Sequence, residues 1–451
     1  MSSAASAALP QLALILSSAF LFCVLVLVLR RVKDRTARFV VVALWLRFMM
    51  GAYHHITYQP VLGGLSVNAI ASVLVVAIGV WVVAPRGWLL LALAPVYAIV
   101  VSIVLSGVLN RAYLDLVNAS VKWGYYCVVL LGSYQAIRRI GERRFAGALL
   151  GAFAAPVLLQ WLSLALGVSK LASEDGGRSY IGGYEHEAAF SVVLVAGLWA
   201  SAWVRARVVW RLALAGLFLA GLLLAGYRTT LIAAVPLAAV LASTSIAGAF
   251  PQRERGAVGA MAFLVCALVA GVGGYLLRER FADFAIIASD EHLLREPEAY
   301  TPAERELLSA RLYLWSQYTY AWSAGGLKQF LFGFGPESWA GQFSTYAHNT
   351  VISTLYELGV LGLCAVLALW GYMLSLVGRV ENGQIRLVLI GGHVSFFLVN
   401  MATMGHWLLE GLILYALVCA FTAARAYAPR AVAQRGSVVW RPMHRLASLK
   451  P

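Results

Sequence analysis

Charge is scarce in this chain. Of its 451 residues 12% are charged, and 20 Asp and Glu face 35 Lys and Arg. That is about half the charged share of a soluble domain. The hydrophobic share is 61%, and so few polar residues cannot cover the surface of a soluble core of that composition. A soluble enzyme on one anchor, a disordered chain and a nucleic-acid-binding domain are excluded. Several motifs are missing as well. There is no G-x-x-x-x-G-K-[ST], hence no phosphate-binding loop for ATP. There is no H-E-x-x-H and no C-x-x-C, and no two aspartates stand two apart. A nucleotide-driven pump and a metal-dependent transferase are therefore disfavoured, and no metal or other cofactor is expected. Cys23, Cys127, Cys266, Cys364 and Cys419 all fall inside apolar runs, so no disulfide staples the loops. No charged segment precedes the first apolar run, which is not read as a cleaved signal.

Long apolar runs fill the space that charge leaves. Mean hydropathy is +0.79. Thirteen runs are long enough to cross a bilayer: 9–29, 39–55, 62–84, 88–109, 117–137, 146–167, 187–204, 209–227, 229–249, 257–277, 349–371, 386–403 and 408–425. The second contains Arg47 and is the weakest. The expected fold is an all-α polytopic membrane protein, a bundle of about 12–13 transmembrane helices. Alternate loops and the tail hold 23 of the 35 basic residues and a net charge of +19, while the remainder of the chain carries −4. The basic surplus thus reports topology and not nucleic acid. The basic side is cytoplasmic, with the N-terminus outside and the C-terminus inside.

Two outer loops are not short. One runs 168–186; the other, 278–348, is the only long extramembrane segment and is rich in aromatics. Leu307, Leu308, Arg311, Trp315, Tyr318 and Trp322 recur at helical spacing. The expected helix starts at Pro302 and ends near Gly325-Gly326, followed by an irregular apolar lid around Phe330, Phe332, Phe334 and Trp339. The chain is read as one integral membrane domain, 1–451, with this partly helical loop inside it.

Four polar positions stand out on the outer side. Arg228 lies in Gly226-Tyr227-Arg228-Thr229-Thr230 between two runs. Thr229 or Thr230 can cap the following helix, and an arginine beside a helix N-terminus makes an anion site. The plain alternative is an arginine reaching lipid headgroups. Arg311 sits on the aromatic face of the loop helix, with Arg295 and Arg305 as competitors. His348 precedes Asn349, a good N-cap for the span that follows, and Glu357 lies inside that span and should face the bundle interior. Alone, an interfacial histidine is more often structural, yet it is also the side chain best suited to take a proton at neutral pH. Arg178 lies before a Gly182-Gly183 turn. Glu185, His186 and Glu187 are adjacent and do not point one way, so a metal site there is disfavoured. His54 and His55 are read as interfacial; a buried Arg47 needs a partner and could touch a lipid phosphate. Arginines, helix N-termini and one histidine beside aromatics suit a diphosphate, sugar rings and a polyprenyl tail.

The sequence resembles the O-antigen ligase and O-antigen polymerase superfamily of bacterial membrane glycosyltransferases. Three pieces carry the resemblance: Gly226-Tyr227-Arg228-Thr229-Thr230; Ser309-Ala310-Arg311 through Trp315 with Phe332-Gly333-Phe334-Gly335-Pro336; and His348-Asn349 through Glu357-Leu358-Gly359, the most specific. The segment from Arg178 to Gly183 is a weaker fourth, and the first 170 residues match only as a run of spans. The resemblance implies a GT-C type bundle in the bacterial inner membrane with its active face periplasmic. It implies an inverting, metal-independent transfer from an undecaprenyl-diphosphate-linked glycan donor. Arg228 and Arg311 would hold the diphosphate and His348 would act at the acceptor hydroxyl. Arg178, Tyr227, Arg305, Trp315, Tyr318, Trp322 and Asn349 are the further substrate-binding candidates. The acceptor is lipid A–core for a ligase, or a second lipid-linked glycan for a polymerase, and one dominant loop favours the ligase. The family commonly has twelve spans with both ends inside, so the count of thirteen here departs from it. Outside the class, a lipid-linked glycan transporter would show repeats and midplane polar residues; neither is seen.

Overall fold

The computed structural model describes residues 8–171, 177–276, 295–302, 304–306, 310–401 and 403–428. The basic tail beyond residue 428 and the loop segment 277–294 lie outside the described residues. Each of the thirteen apolar runs falls on a helix. These are α1 (Gln11–Arg31), α2 (Arg35–Ala52), α3 (Val67–Val82), α4 (Ala94–Leu109), α5 (Tyr113–Ile140), α6 (Glu142–Ala165) and α7 (Glu187–Ser201). The series continues with α8 (Val208–Ala225), α9 (Arg228–Ala247) and α10 (Arg255–Leu276). Two loop helices, α11 (Arg311–Ser323) and α12 (Leu327–Phe332), precede α13 (Thr350–Gly378), α14 (Gly383–Asn400) and α15 (Leu409–Ala426). Among the described residues nine helices are long and apolar enough to cross a membrane, and α3 and α7 are shorter apolar ones. The only strands there are two two-residue-scale hairpins in loops.

Burial sorts the helices. In α15 89% of the apolar window is buried, whereas in α10 none is. The first is the axis of the bundle, packed on α5 and α7; the second is a peripheral stave against α9. Large apolar side chains such as Phe20, Trp81 and Leu264 point outward, as they do where lipid is the solvent.

The bundle has two distinct ends. At one, Arg139 pairs with Asp34 at 3.3 Å and Arg425 pairs with Glu142. The long loop and the candidate residues lie at the other. Near that end Arg47 is buried against Glu410 at 2.7 Å and also donates to Asn68. The partner that a buried Arg47 needs is thus Glu410, 363 residues away, which offsets the cost of burying its charge.

Helix α13 is not straight. Its 29 residues would measure ~44 Å as one rod. Yet Thr350 Oγ1, in its first turn, donates to Asn400 Oδ1 at 2.6 Å. Asn400 ends the 18-residue α14, ~27 Å long, and the two helices start from the same short connection at 379–382. The excess is absorbed at Gly359, whose φ of 67° and ψ of −167° break the helix. Residues 350–358 therefore form a separate short piece across the end of the bundle.

Candidate functional site

The break in α13 receives the loop. Phe334 N donates to Tyr356 O at 2.9 Å and Gly335 N to Glu357 O at 3.0 Å. Ser106 Oγ reaches the same Glu357 carbonyl at 2.8 Å, and Asn110 Nδ2 reaches Gly333 O at 3.0 Å. Backbone meets backbone here. A Cβ on Gly333 (φ 71°) would lie 2.3 Å from the Glu357 carbonyl, and one on Gly359 would lie 2.4 Å from the Leu331 carbonyl carbon. The Glu357 carboxylate, fully buried, accepts from Ser353 Oγ at 2.7 Å and from Glu337 N at 2.5 Å. Glu337 in turn pairs with Lys122 of α5. The expectation that Glu357 faces the interior is met: it ties the loop to the broken helix.

The same junction fixes the segment before α13. Asn349 caps the helix, accepting from Val351 N at 2.9 Å and Ile352 N at 3.3 Å. Its Nδ2 donates to Met401 O at 3.4 Å. From the other side, Trp315 Nε1 donates to Ala347 O at 2.7 Å and the Tyr318 hydroxyl to Thr345 O at 2.9 Å. Loop helix and cap hold His348 between them. Its backbone sits at φ 53°, a left-handed conformation costly for a non-glycine residue. Its ring centroid lies 4.1 Å from that of Tyr346. Its Nδ1 is buried and makes no hydrogen bond to a described residue. Burial, reinforced by the charges of Arg311 and His186, lowers the His348 pKa to about 4. At neutral pH the imidazole is therefore uncharged and has a lone pair to offer.

Arg311 opens α11 directly after Ala310, which is itself left-handed at φ 64°. The helix begins there and not at Pro302; residues 304–306 form a separate 3₁₀ turn. Arg311 is 7% exposed. Its two competitors are engaged elsewhere. Arg295 pairs with Glu304 at 2.9 Å; Arg305 lies 4.9 Å from the Tyr313 ring and donates to Tyr300 O. Of the three, Arg311 is the one whose charge bears on His348.

Arg228 is the first residue of α9, two residues beyond the left-handed Gly226 that ends α8. Tyr227 occupies the cap position, so neither threonine caps the helix as expected. Thr230 Oγ1 instead donates to Tyr227 O at 3.1 Å, and Thr229 Oγ1 lies 3.3 Å from Thr403 Oγ1. Thr403 lies close to Met401, whose carbonyl receives Asn349. Arg178 lies on an exposed hairpin next to this place: Tyr180 N donates to Leu224 O at 2.9 Å, just before the α8–α9 turn. Gly182 and Gly183 make the expected turn, with φ of 61° and 85°. His186 then caps α7 through Nδ1 and Ala188 N at 3.1 Å.

The aromatic face of the loop helix is mostly internal. Tyr318 is fully buried with its ring stacked on Phe343 at 4.0 Å, so it supports the loop and has no face left for a sugar. Trp322 stacks on Phe330 at 5.0 Å. Trp315 and Trp322 remain half-exposed. Sequence reasoning underrated His186, whose charge reaches His348. It also overlooked Asn400 and Thr403, which seat α13 and α9. No spacing signal marks these contacts, because loops far apart in sequence make them.

The fold and these residues define a multi-pass membrane protein whose arginines, histidine and helix N-termini gather at one end of a helical bundle. Residues 213–367 match the family model described as O-antigen ligase. That segment is similar to the O-antigen ligase family, in line with the resemblance read from the sequence. The match spans Arg228, Arg311, His348 and Glu357, and leaves Arg178 outside. No curated protein matches the chain.

Proposed function

We propose that the chain transfers a glycan from undecaprenyl diphosphate to an acceptor hydroxyl at the periplasmic face of the bacterial inner membrane, and that the acceptor is lipid A–core. The observation that carries the reading is His348 on a left-handed backbone with its Nδ1 buried, its pKa lowered by burial and by the charge of Arg311. Glycosyl transfer from a lipid diphosphate requires two things of a protein: a base for the hydroxyl and cations for the departing phosphates. His348 supplies the first and Arg311, with Arg228, the second. The acceptor oxygen bonds to the anomeric carbon from the face opposite the diphosphate, inverting it. The anomeric C–O bond to the diphosphate breaks, the hydroxyl proton passes to His348, and the arginines carry the charge of the leaving group. No metal ion enters this scheme, because the two guanidinium groups neutralise the leaving group. Residues 278–348 form the periplasmic loop of a single membrane domain, and Arg178, Tyr227, Arg305, Asn349, Trp315 and Trp322 border the substrate. The polyprenyl tail lies between helices, in the lipid.

Arg228→Ala and Arg311→Ala should each cost about 2–4 kcal/mol of transition-state stabilisation, read as kcat/KM of transfer by folded protein. Arg311→Lys should recover only part, since a point charge does not reproduce the guanidinium fork. Near-normal turnover in either alanine variant removes that arginine from the scheme.

The pH dependence has a definite sign. His348 must be neutral to accept a proton, and its pKa in the free protein is lowered to about 4. The acid limb of kcat/KM should therefore fall near pH 4–5 and not near the ordinary histidine value of about 6.5. Bound diphosphate adds negative charge beside the ring and raises its pKa, so the limb of kcat should lie at higher pH than that of kcat/KM. The reverse order of the two limbs would contradict the assignment.

A further inference from the structure

The opposite end of the bundle carries a cationic cavity that the transfer scheme does not use. A space of about 610 Å³ opens between the end of α1 and the start of α6, lined by Val28, Arg31, Lys33, Ile140, Arg144 and Ala148. Its origin lies in two glycines of α6. At Gly151 the helices touch, since a Cβ there would lie 2.6 Å from Val28 Cγ2. One turn nearer the helix start, a Cβ on Gly147 would meet nothing within 4 Å. The helices diverge between these two positions, and the gap faces the basic surface.

The charge of this cavity is uncompensated. The two nearby acids are committed elsewhere. Asp34 accepts from Thr36, from Ala37 N and from Arg139, and Glu142 pairs with Arg425. Arg31, Lys33 and Arg144 form no ion pair with a described residue. Below these cations the walls are apolar: Val28, Ile140 and Ala148. A free phosphate would use only the upper half of such a space, and a zwitterionic headgroup would bring its own cation. We propose that this cavity binds one anionic phospholipid, its phosphate on Arg31, Lys33 and Arg144 and the start of an acyl chain on the apolar wall below. Basic pockets between helices at a membrane surface are suited to such headgroups. The site is independent of the transfer reaction, and its failure would leave that reading untouched.

The test is native mass spectrometry of the full chain in neutral detergent, with phosphatidylglycerol, phosphatidylcholine or inorganic phosphate added separately. One phosphatidylglycerol should stay bound per chain, with no retained phosphatidylcholine or phosphate. Arg31→Gln, Lys33→Gln and Arg144→Gln combined should weaken that binding roughly 100-fold. Gly147→Leu, which fills the cavity while keeping all three charges and suits a helix better than glycine, should also abolish it. Neutralising Arg205, Arg207 and Arg253, basic residues of the same end outside the cavity, should leave it intact. Equal loss in that control would reduce the effect to general surface attraction and overturn the site. Retention in Gly147→Leu would overturn the cavity as its seat, and phosphate bound as tightly as phosphatidylglycerol would overturn the lipid.

Discussion

His348→Asn is expected to lower glycan transfer by about 10²–10⁴-fold while the protein still folds and inserts. Asparagine is chosen because it tolerates the left-handed backbone that His348 occupies at φ 53°. An effect of the substitution on activity then reports the imidazole and not backbone strain. The residue is poised in three respects. Its ring packs at a tilt against Tyr346, its Nδ1 is buried, and its pKa is lowered to about 4 by burial and by the charges of Arg311 and His186. Each keeps a neutral base beside a cation that will hold phosphate. His348→Gly, which relieves the backbone entirely, should be equally inactive. If it is more active than His348→Asn, the residue serves the backbone and not the chemistry.

Gly333→Ala should be the most damaging of the small substitutions. The added methyl would lie 2.3 Å from the Glu357 carbonyl and would require a positive φ, and neither the loop nor α13 can retreat without breaking the hydrogen bonds from Phe334 N and Gly335 N. A loss of at least about 4 kcal/mol is expected, seen as a collapse in the yield of folded protein or in its melting temperature in detergent. Gly359→Ala meets the Leu331 carbonyl from the other side and should behave the same way. Gly371→Ala on the same helix meets nothing within 4 Å and should be tolerated. Comparable stability of all three would show that the loop does not lock onto the break.

These two results bear on different parts of the chain, and the sequence exposed them unequally. The spans were legible because lipid demands about 20 apolar residues in a row and satisfied backbone hydrogen bonds. Even the doubtful second run, with Arg47, is helical. Asn349 as a cap and Glu357 as an inward residue were legible for similar reasons: each follows from a local cost that only one placement removes. The start of the loop helix was not. Proline followed by acids suited Pro302, but the chain turns at Ala310, and nothing in the identity of an alanine announces a left-handed backbone. The same holds for His348. The threonine caps failed because Gly226 ends α8 so late that the cap position of α9 falls on Tyr227. Partnerships across long sequence distances, Arg47 with Glu410 and Glu357 with the Glu337 amide, have no local signature. Aromatic spacing on α11 suggests a face for sugars, yet Tyr318 spends its ring on the loop's own core.

The match to the O-antigen ligase family covers the α8–α13 region, which is also where the loop, the break and the candidate residues meet. The helices before it supply supports: Ser106 and Asn110 of α4, and Lys122 of α5. The early helices thus brace the loop, and the residues of the proposed reaction lie on the later ones.

The central claim is tested most directly by transfer with purified protein. Undecaprenyl-diphosphate glycan is supplied with lipid A–core, or with no second acceptor, in EDTA and without nucleotide. The account predicts glycan on lipid A–core, lost in His348→Asn. Longer glycan on the carrier lipid alone would make the protein a polymerase and contradict the proposed acceptor. No product in either mixture from folded protein would contradict the transfer reaction itself.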